Sequence, residues 1–325
     1  MRRAGTAHKL AGPFLAMWIY IARRLAWLPF LLFAVSAVTF ALGRFGPGDP
    51  VVVMLGARYT EEAGNRVREQ LGLNRNIVVQ YGDYMWGFIR GDFGESLRFR
   101  GRPVRDLIGP KMWVSAQLAI AALIISVGVG LPLGFYIATR QGHWVDPAAV
   151  AASLFVMSVP VMVTAPGLLW IGCLKLGWVP CSGWGGFFDT RIIVPAIVLG
   201  VPGIAGMTRL MRASTLDVLG QDFIRTARAK GLSEWSVSSR HVFQNAMLPI
   251  VTILAFALAG LIGGAFITET ILGIPGIGRF AVDSIFDRDY PVIMAITLVG
   301  AGAFVLANLL ADLSYAFIDP RIRFR

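Results

Sequence analysis

An all-α membrane protein with six membrane-crossing helices is the fold class this sequence predicts, and three observations predict it. Of the 325 residues, 56% are hydrophobic and only 15% charged, whereas ordinary soluble domains carry about a quarter charged residues. Six apolar runs are each long enough to cross a hydrocarbon core about 30 Å thick, which takes about 20 residues of helix. The 30 Lys and Arg, which leave a net charge of +11, are spread through short stretches between those runs. That spread speaks against nucleic-acid binding and for positive loops retained in the cytoplasm.

Residues 1–24 are expected to form a cytoplasmic N-terminus carrying Arg2, Arg3, Lys9, Arg23 and Arg24. Its apolar part, residues 10–22, reads as an interfacial helix or an early extension of the first span. The first span, residues 25–42, is long, lacks a convincing small-residue cleavage site and leads into further spans, so it reads as a membrane helix and not as a signal peptide. Residues 43–111 form one sizeable extracytoplasmic segment, with helical pieces around 61–71 and 78–90. Its mixed charge suits either a solvated cap or a landing site for another protein.

The other five spans, residues 113–138, 148–176, 192–211, 249–272 and 292–317, are expected within a core of residues 112–318. They contain Pro132, Pro160, Pro166, Pro195 and Pro202, which membrane bundles tolerate where neighbouring helices re-satisfy the backbone. Gly130 and Gly134, and likewise Gly260 and Gly264, have the small-xxx-small spacing that lets helices approach closely. Cys173 and Cys181, the only cysteines, are expected as packing residues, with an outer disulfide as the alternative.

Positive-inside counting orients the bundle. Arg209, Arg212, Arg225, Arg228, Lys230 and Arg240 outnumber Asp217, Asp222 and Glu234 in one connection, whereas residues 269–290 are net acidic. Both termini, including the tail 319–325, then lie in the cytoplasm, together with the long connection 212–248. Helix–helix connections usually run to 2–8 residues, so one this long is expected to have a function. Asp222, Phe223, Thr226, Ala227 and Lys230 suit a short helix stopped by Gly231. Ser233 suits the N-cap of a second helix through Ser236, Val237 and His241 to Asn245. The small Ala227 and Ala229 suit a helix pressed into a groove of a partner, and a helix lying on lipid headgroups fits the periodicity about equally well.

Catalytic and metal chemistry find no footing. The chain contains no G-x-x-x-x-G-K-[ST] phosphate loop. His8, His143 and His241 stand far apart without ligand partners at helical spacing, so no metal site is expected. The G-x-G-x-x-A pattern at Gly276, Gly278 and Ala281 follows a span and not a strand, and reads as a tight turn at an outer helix end. In the last span Asn308, Asp312 and Tyr315 share one face. Helix or helix-end contacts are the preferred reading there, over contact with a transported substrate.

Thr226-Ala227-Arg228-Ala229-Lys230-Gly231-Leu232 followed by Asn245-Ala246-Met247-Leu248-Pro249 resembles the coupling motif of ABC-importer permeases, in the spacing of the dipeptide/oligopeptide branch. Arg225 stands where the general motif has Glu. The resemblance extends over most of the chain through Pro47-Gly48-Asp49-Pro50, Gln80-Tyr81, Gly91-Asp92-Phe93-Gly94 with Ser96, Pro275-Gly276-Ile277-Gly278, Arg288-Asp289-Tyr290-Pro291, Asn308-Leu309 and Asp319-Pro320-Arg321. It implies the type I importer permease fold, with a cytoplasmic coupling helix in which Thr226, Ala227, Ala229, Lys230, Gly231 and Leu232 meet an ATPase. It also implies that Asp49, Gln80, Tyr81 and Asp92 belong to the surface that receives a substrate-binding protein.

The implied partners are a second homologous permease, two ATP-binding-cassette subunits that carry ATP and Mg, the extracytoplasmic binding protein, and membrane lipid. This chain holds no cofactor of its own in that reading, and it is not an enzyme. The implied cargo is di- or oligopeptides, with nickel chelates, glutathione or haem as alternatives within the branch. A secondary transporter, the competing class, calls for inverted repeats and midplane carboxylates, and neither is evident.

Overall fold

Proline and glycine divide the apolar runs into more pieces than hydropathy suggests. The structure, a computed structural model, describes residues 26–27, 29–46, 49–70 and 72–318. The predicted N-terminal interfacial helix (10–22) and the tail (319–325) lie outside the described residues. The predicted first span contains α1, Pro29–Phe45, a shorter apolar helix. Four elements follow in the predicted outer segment: α2 (Pro50–Leu55), a single 3₁₀ turn (Gly56–Arg58), α3 (Glu61–Gln70) and α4 (Ile77–Ile89).

The helix α5 (Val104–Thr139) has 36 residues, about 54 Å at 1.5 Å per residue. It therefore extends well beyond the predicted 113–138. Next come α6 (Val145–Ser158), α7 (Val161–Leu169) with a π-helical extension (Trp170–Lys175), a 3₁₀ turn (Thr190–Ile192) and α8 (Ile193–Leu219). The chain then runs through α9 (Asp222–Ala229), α10 (Glu234–Ser236), a π-helical stretch (Val237–Phe243) and α11 (Gln244–Ala246). It finishes with α12 (Leu248–Gly263), α13 (Phe266–Ile271), α14 (Ile277–Phe286) and α15 (Tyr290–Ile318).

Among the described residues, three helices are long and apolar enough to cross a membrane unbroken: α5, the stretch Thr190–Leu219 and α15. Two predicted spans are not single rods. Residues 148–176 are bent by 89° between α6 and the α7 stretch. Val159 is extended there (φ −85°, ψ 117°), as the residue before a proline prefers to be, and Pro160 offers no N–H to continue the helix. Residues 249–272 break at Gly264, where φ is +70° and a Cβ would lie 2.5 Å from the Gly278 nitrogen. Gly264 is thus a crossing point of two backbones, not half of the helix-packing pair expected with Gly260.

The other glycine pair behaves as its spacing predicts. A Cβ on Gly130 would stand 2.9 Å from the Ile204 carbonyl oxygen, and one on Gly134 would stand 2.4 Å from that of Thr208. Positions 130 and 134 meet 204 and 208 in order, so α5 and α8 run parallel with their backbones almost touching. Ser126 Oγ donates to the Gly200 carbonyl (3.1 Å) and Thr208 Oγ1 to that of Gly130 (3.2 Å), stitching the same seam.

Buried apolar clusters sit along these helices. One joins Val104, Ile108, Ile277, Phe280 and Val292 near the start of α5. Another joins Leu118, Ala165, Val194, Val198, Leu272 and Ile274. A third, at the far end of α5 and α8, joins Leu131, Met211, Val218, Ile224, Val237, Val242 and Ile250. Cys173 and Cys181 form a disulfide, which corrects the packing-residue expectation. Only eight positions separate them, and the chain doubles back after the π-helical turn.

Candidate functional site

The connection between α8 and α12 folds as its sequence punctuation dictates. Helix α9 begins at Asp222, whose charge suits the positive helix end. It stops where Gly231 takes φ +77°, a left-handed conformation that glycine adopts without a side-chain clash. The Ser233 hydroxyl then accepts the Ser236 N–H at 3.3 Å, as an N-cap does. Arg228 holds the turn closed with two bonds to the Glu234 carboxylate, at 2.9 and 3.3 Å.

One face of α9 fastens the helix to the bundle. Ile224 is fully buried and Ala227 is 6% exposed, both within the cluster formed by Met211, Val218, Val237 and Val242. Ser214 Oγ on α8 donates to the Ala246 carbonyl at 2.7 Å, tying the far end of the connection to the same helix. Residues of α8, α9 and α12 thus share one close-packed cluster, and such packing deforms little.

The opposite face is open. Of the residues predicted to dock, Thr226, Ala229, Lys230, Gly231 and Leu232 are exposed. Ala227 is not: its small side chain serves the packing against the bundle. Sequence reasoning missed the largest group on this surface. Trp235 is 81% exposed, with Leu232 and Phe223 about 40% exposed nearby in sequence. An exposed Trp in a basic loop suits a partner contact, where Trp is enriched, and its presence in so polar a stretch was the available signal.

The four residues predicted for receptor docking all lie between α1 and α5, where they build local structure. Asp49 caps α2 by accepting the Val51 N–H at 2.9 Å and also takes the Arg68 guanidinium. Burial alone pushes its pKa up, but the Arg68 hydrogen bond and charge and the Val51 N–H outweigh this and hold it below the usual carboxylate value. Gln80 donates to the Leu73 and Arg75 carbonyls at 3.1 and 2.8 Å. Tyr81 lays its ring against Phe33 and Phe40 of α1, and its hydroxyl lies 2.5 Å from Ser36 Oγ. Asp92 accepts the Gly94 N–H at 3.0 Å in an exposed turn.

In α15, Asn308 donates to the Phe304 carbonyl of its own helix at 3.2 Å. The side chains of Asp312 and Tyr315 lie outside the described residues. Glu269 and Asp289 are buried carboxylates that carried no sequence-based assignment. Glu269, fully buried, accepts from Ser115 Oγ (2.6 Å), the Ala265 N–H (3.1 Å) and the Arg279 N–H (2.8 Å). Asp289, 1% exposed, accepts from the Ser96 hydroxyl and from the Leu97 N–H in the turn before α5. The Gly276-x-Gly278 pattern serves the first of these. A Cβ at Gly276 would fall 2.4 Å from the Glu269 carboxyl carbon, so the turn is built around a carboxylate and not around a nucleotide. Among the described residues no His, Cys, Asp or Glu cluster could hold a metal.

Comparison with known proteins places this architecture. Residues 130–324 match the family described as binding-protein-dependent transport system inner membrane component, and residues 17–98 match its N-terminal family. The probable peptide ABC transporter permease protein of Sinorhizobium fredii is 38% identical, with 95% of this chain and 100% of that protein covered. The oligopeptide transport system permease protein AppB of Bacillus subtilis is 36% identical over the same shares. The dipeptide transport system permease protein DppB of Escherichia coli is also 36% identical, over 94% and 98%. Among solved structures, an inward-facing MetNI methionine ABC transporter superposes with a TM-score of 0.50 at 15% identity, covering 66% of this chain and 96% of that one; this likeness speaks to the fold alone. The chain belongs to the binding-protein-dependent transport system inner membrane component family.

Proposed function

We propose that this chain is one permease subunit of an ATP-driven importer of di- or oligopeptides, and that α9 with the turn after it docks onto a cytoplasmic ATPase. The observation that carries the docking assignment is the two-sidedness of α9. Ile224 and Ala227 are sunk into the bundle, while Thr226, Ala229, Lys230, Gly231, Leu232 and Trp235 are open to a partner. The cargo assignment rests on the relatives, which are named for peptide, oligopeptide and dipeptide transport.

In this reading the Cys173–Cys181 disulfide and the docking loop lie at opposite ends of the 27-residue α8. Disulfides persist in oxidising compartments, so the docking loop lies on the cytoplasmic side, with both termini. A second homologous permease completes the pathway, and two ATPase subunits bind ATP and Mg. A binding protein lands on the outer segment, for which Asp49, Gln80, Tyr81 and Asp92 supply the framework. Closure of the ATPases pushes α9, and the shared cluster passes the push to α8 and α12.

The test is uptake of labelled peptide, together with receptor-stimulated ATP hydrolysis, by the whole complex in proteoliposomes. Ala229→Arg and Gly231→Trp are expected to abolish both while the two permeases still insert and co-purify. Trp235→Ala, which leaves the loop backbone alone, is expected to weaken retention of the ATPases. Normal uptake and ATPase retention in all three variants would overturn the docking assignment.

A further inference from the structure

The helix α4 has the wrong surface for a water-facing cap. Its sequence, Ile-Val-Val-Gln-Tyr-Gly-Asp-Tyr-Met-Trp-Gly-Phe-Ile, contains one charge, whereas a helix resting on a protein and facing water carries a polar outer face. The inward face is made by Tyr81 and Tyr84, whose rings pack on Phe40 of α1, and by Phe88, which meets Phe93. The outward face is apolar and exposed: Val78 is 72% exposed, Trp86 57% and Ile89 71%.

The depth of the contact is informative. Ser36, which meets the Tyr81 hydroxyl, stands nine residues before the end of α1 at Phe45, about 13 Å down the helix axis at 1.5 Å per residue. The exposed apolar face of α4 is thus continuous with that of α1 itself, where Phe33, Val38 and Leu42 are each more than half exposed. Asp83 pairs with Arg75 of the preceding turn at 3.2 Å, and the Arg90 guanidinium lies over the Trp86 ring, 4.4 Å from its centroid. An aromatic ring with a cation beside it is the arrangement that settles at headgroup level, the stem in acyl chains and the charge toward water.

We infer that α4 is an interfacial membrane helix, lying in the leaflet at the Phe45 end of α1 with Val78, Trp86 and Ile89 among lipid chains. This rests on the reading of α1 as a membrane span. The face that receives a soluble protein then comprises α2, α3 and the turn of residues 91–103, and not the outer side of α4.

Both native cysteines are tied in the disulfide, so single added cysteines can be spin-labelled in the full chain. Val78→Cys and Ile89→Cys are compared with Val38→Cys on α1 and with Glu62→Cys on α3, where the Glu62 side chain is 91% exposed. Collision with oxygen, which concentrates in lipid, is measured against collision with a water-soluble nickel chelate, in the reconstituted complex. The oxygen-to-nickel ratio at 78 and 89 is expected to match that at 38 and to exceed that at 62 several-fold. A nickel-rich signal at 78 and 89 beside an oxygen-rich signal at 38 makes α4 a water-facing cap and overturns the inference alone. Low collision with both reagents means that another protein chain covers the face, which also overturns it. A nickel-rich signal at 38 overturns the inference and the spanning role of α1 together.

Discussion

The Asp289 carboxylate, at the entrance to α15, accepts the Ser96 hydroxyl across 193 residues of sequence. The Leu97 and Arg98 N–H groups donate to the same carboxylate at 3.1 and 3.4 Å, and Arg98 pairs with Asp287 beside it. Arg288, just before, holds φ +55°, the only positive value among the described non-glycine residues, and this lets the chain turn Asp289 inward. The turn of residues 96–98 is therefore latched to the start of α15 by one buried carboxylate.

Asp289→Asn puts an amide N–H₂ where N–H and O–H donors converge. It is expected to cost roughly 2–3 kcal/mol, the scale for leaving charged-group hydrogen bonds unmade. Ser96→Ala removes one bond and is expected to cost less. Thermal unfolding of the purified complex gives the order, and limited proteolysis should show cleavage concentrating in residues 49–103 in the Asn variant.

Gly134→Ala is expected to destabilise by roughly 1–3 kcal/mol, the usual scale for overpacking. The new methyl would sit 2.4 Å from the Thr208 carbonyl oxygen and 2.8 Å from the Met211 Cβ, and neither backbone can yield without parting α5 from α8. Gly128→Ala on the same helix meets nothing within 4 Å and should be neutral or slightly stabilising. Equal melting temperatures for the two variants would mean that the α5–α8 seam is not close-packed at Gly134.

Gly276→Ala drives a methyl into the Glu269 carboxylate and the Ser115 hydroxyl, 2.5 Å from the latter. It is expected to lower stability and uptake together. Ser115→Ala deprives Glu269 of one donor and the Ile277 N–H of its acceptor, and should lower the melting temperature by less.

Cys173→Ser with Cys181→Ser opens a loop of about nine residues. Chain-entropy reasoning assigns roughly 2–3 kcal/mol to such a closure. The double variant should melt at a lower temperature than the oxidised parent, and added reductant should lower the parent's melting temperature but not the variant's.

The Asp49–Arg68 pair gives the segment of α2 and α3 an acid-sensitive element. The folded carboxyl lies below its ordinary value of 3.8, so its stabilisation is present above that pH and is lost as the pH falls through the lower, folded value. The side chain is a third exposed, so solvent screening keeps the effect small. Proteolysis of residues 49–70 by an acid protease should accelerate as the pH drops below about 4, and Asp49→Asn should flatten that dependence.

Local chemistry is what a chain of letters displays well, and here it displayed much. The Gly231 stop, the Ser233 cap and the helix between Asp222 and Ala229 all follow from the conformational preferences of single residues, and the structure has them where the letters put them. The close approach at Gly130 and Gly134 follows from the absence of side chains at helical spacing. Composition likewise set the class, because apolar runs of this length have few other uses.

Direction and partnership were settled by the three-dimensional arrangement. Hydropathy adds residues without regard to where the axis points, so it could not separate the 89° bend after Ser158 from a straight span. Ala227 and Ala229 are alike in sequence, yet one closes the bundle and the other faces outward. The disulfide, the Asp289–Ser96 latch and the Glu269 cradle each join a residue to a partner chosen by packing. A side chain's preferences are local, but which surface it meets is a property of the whole fold.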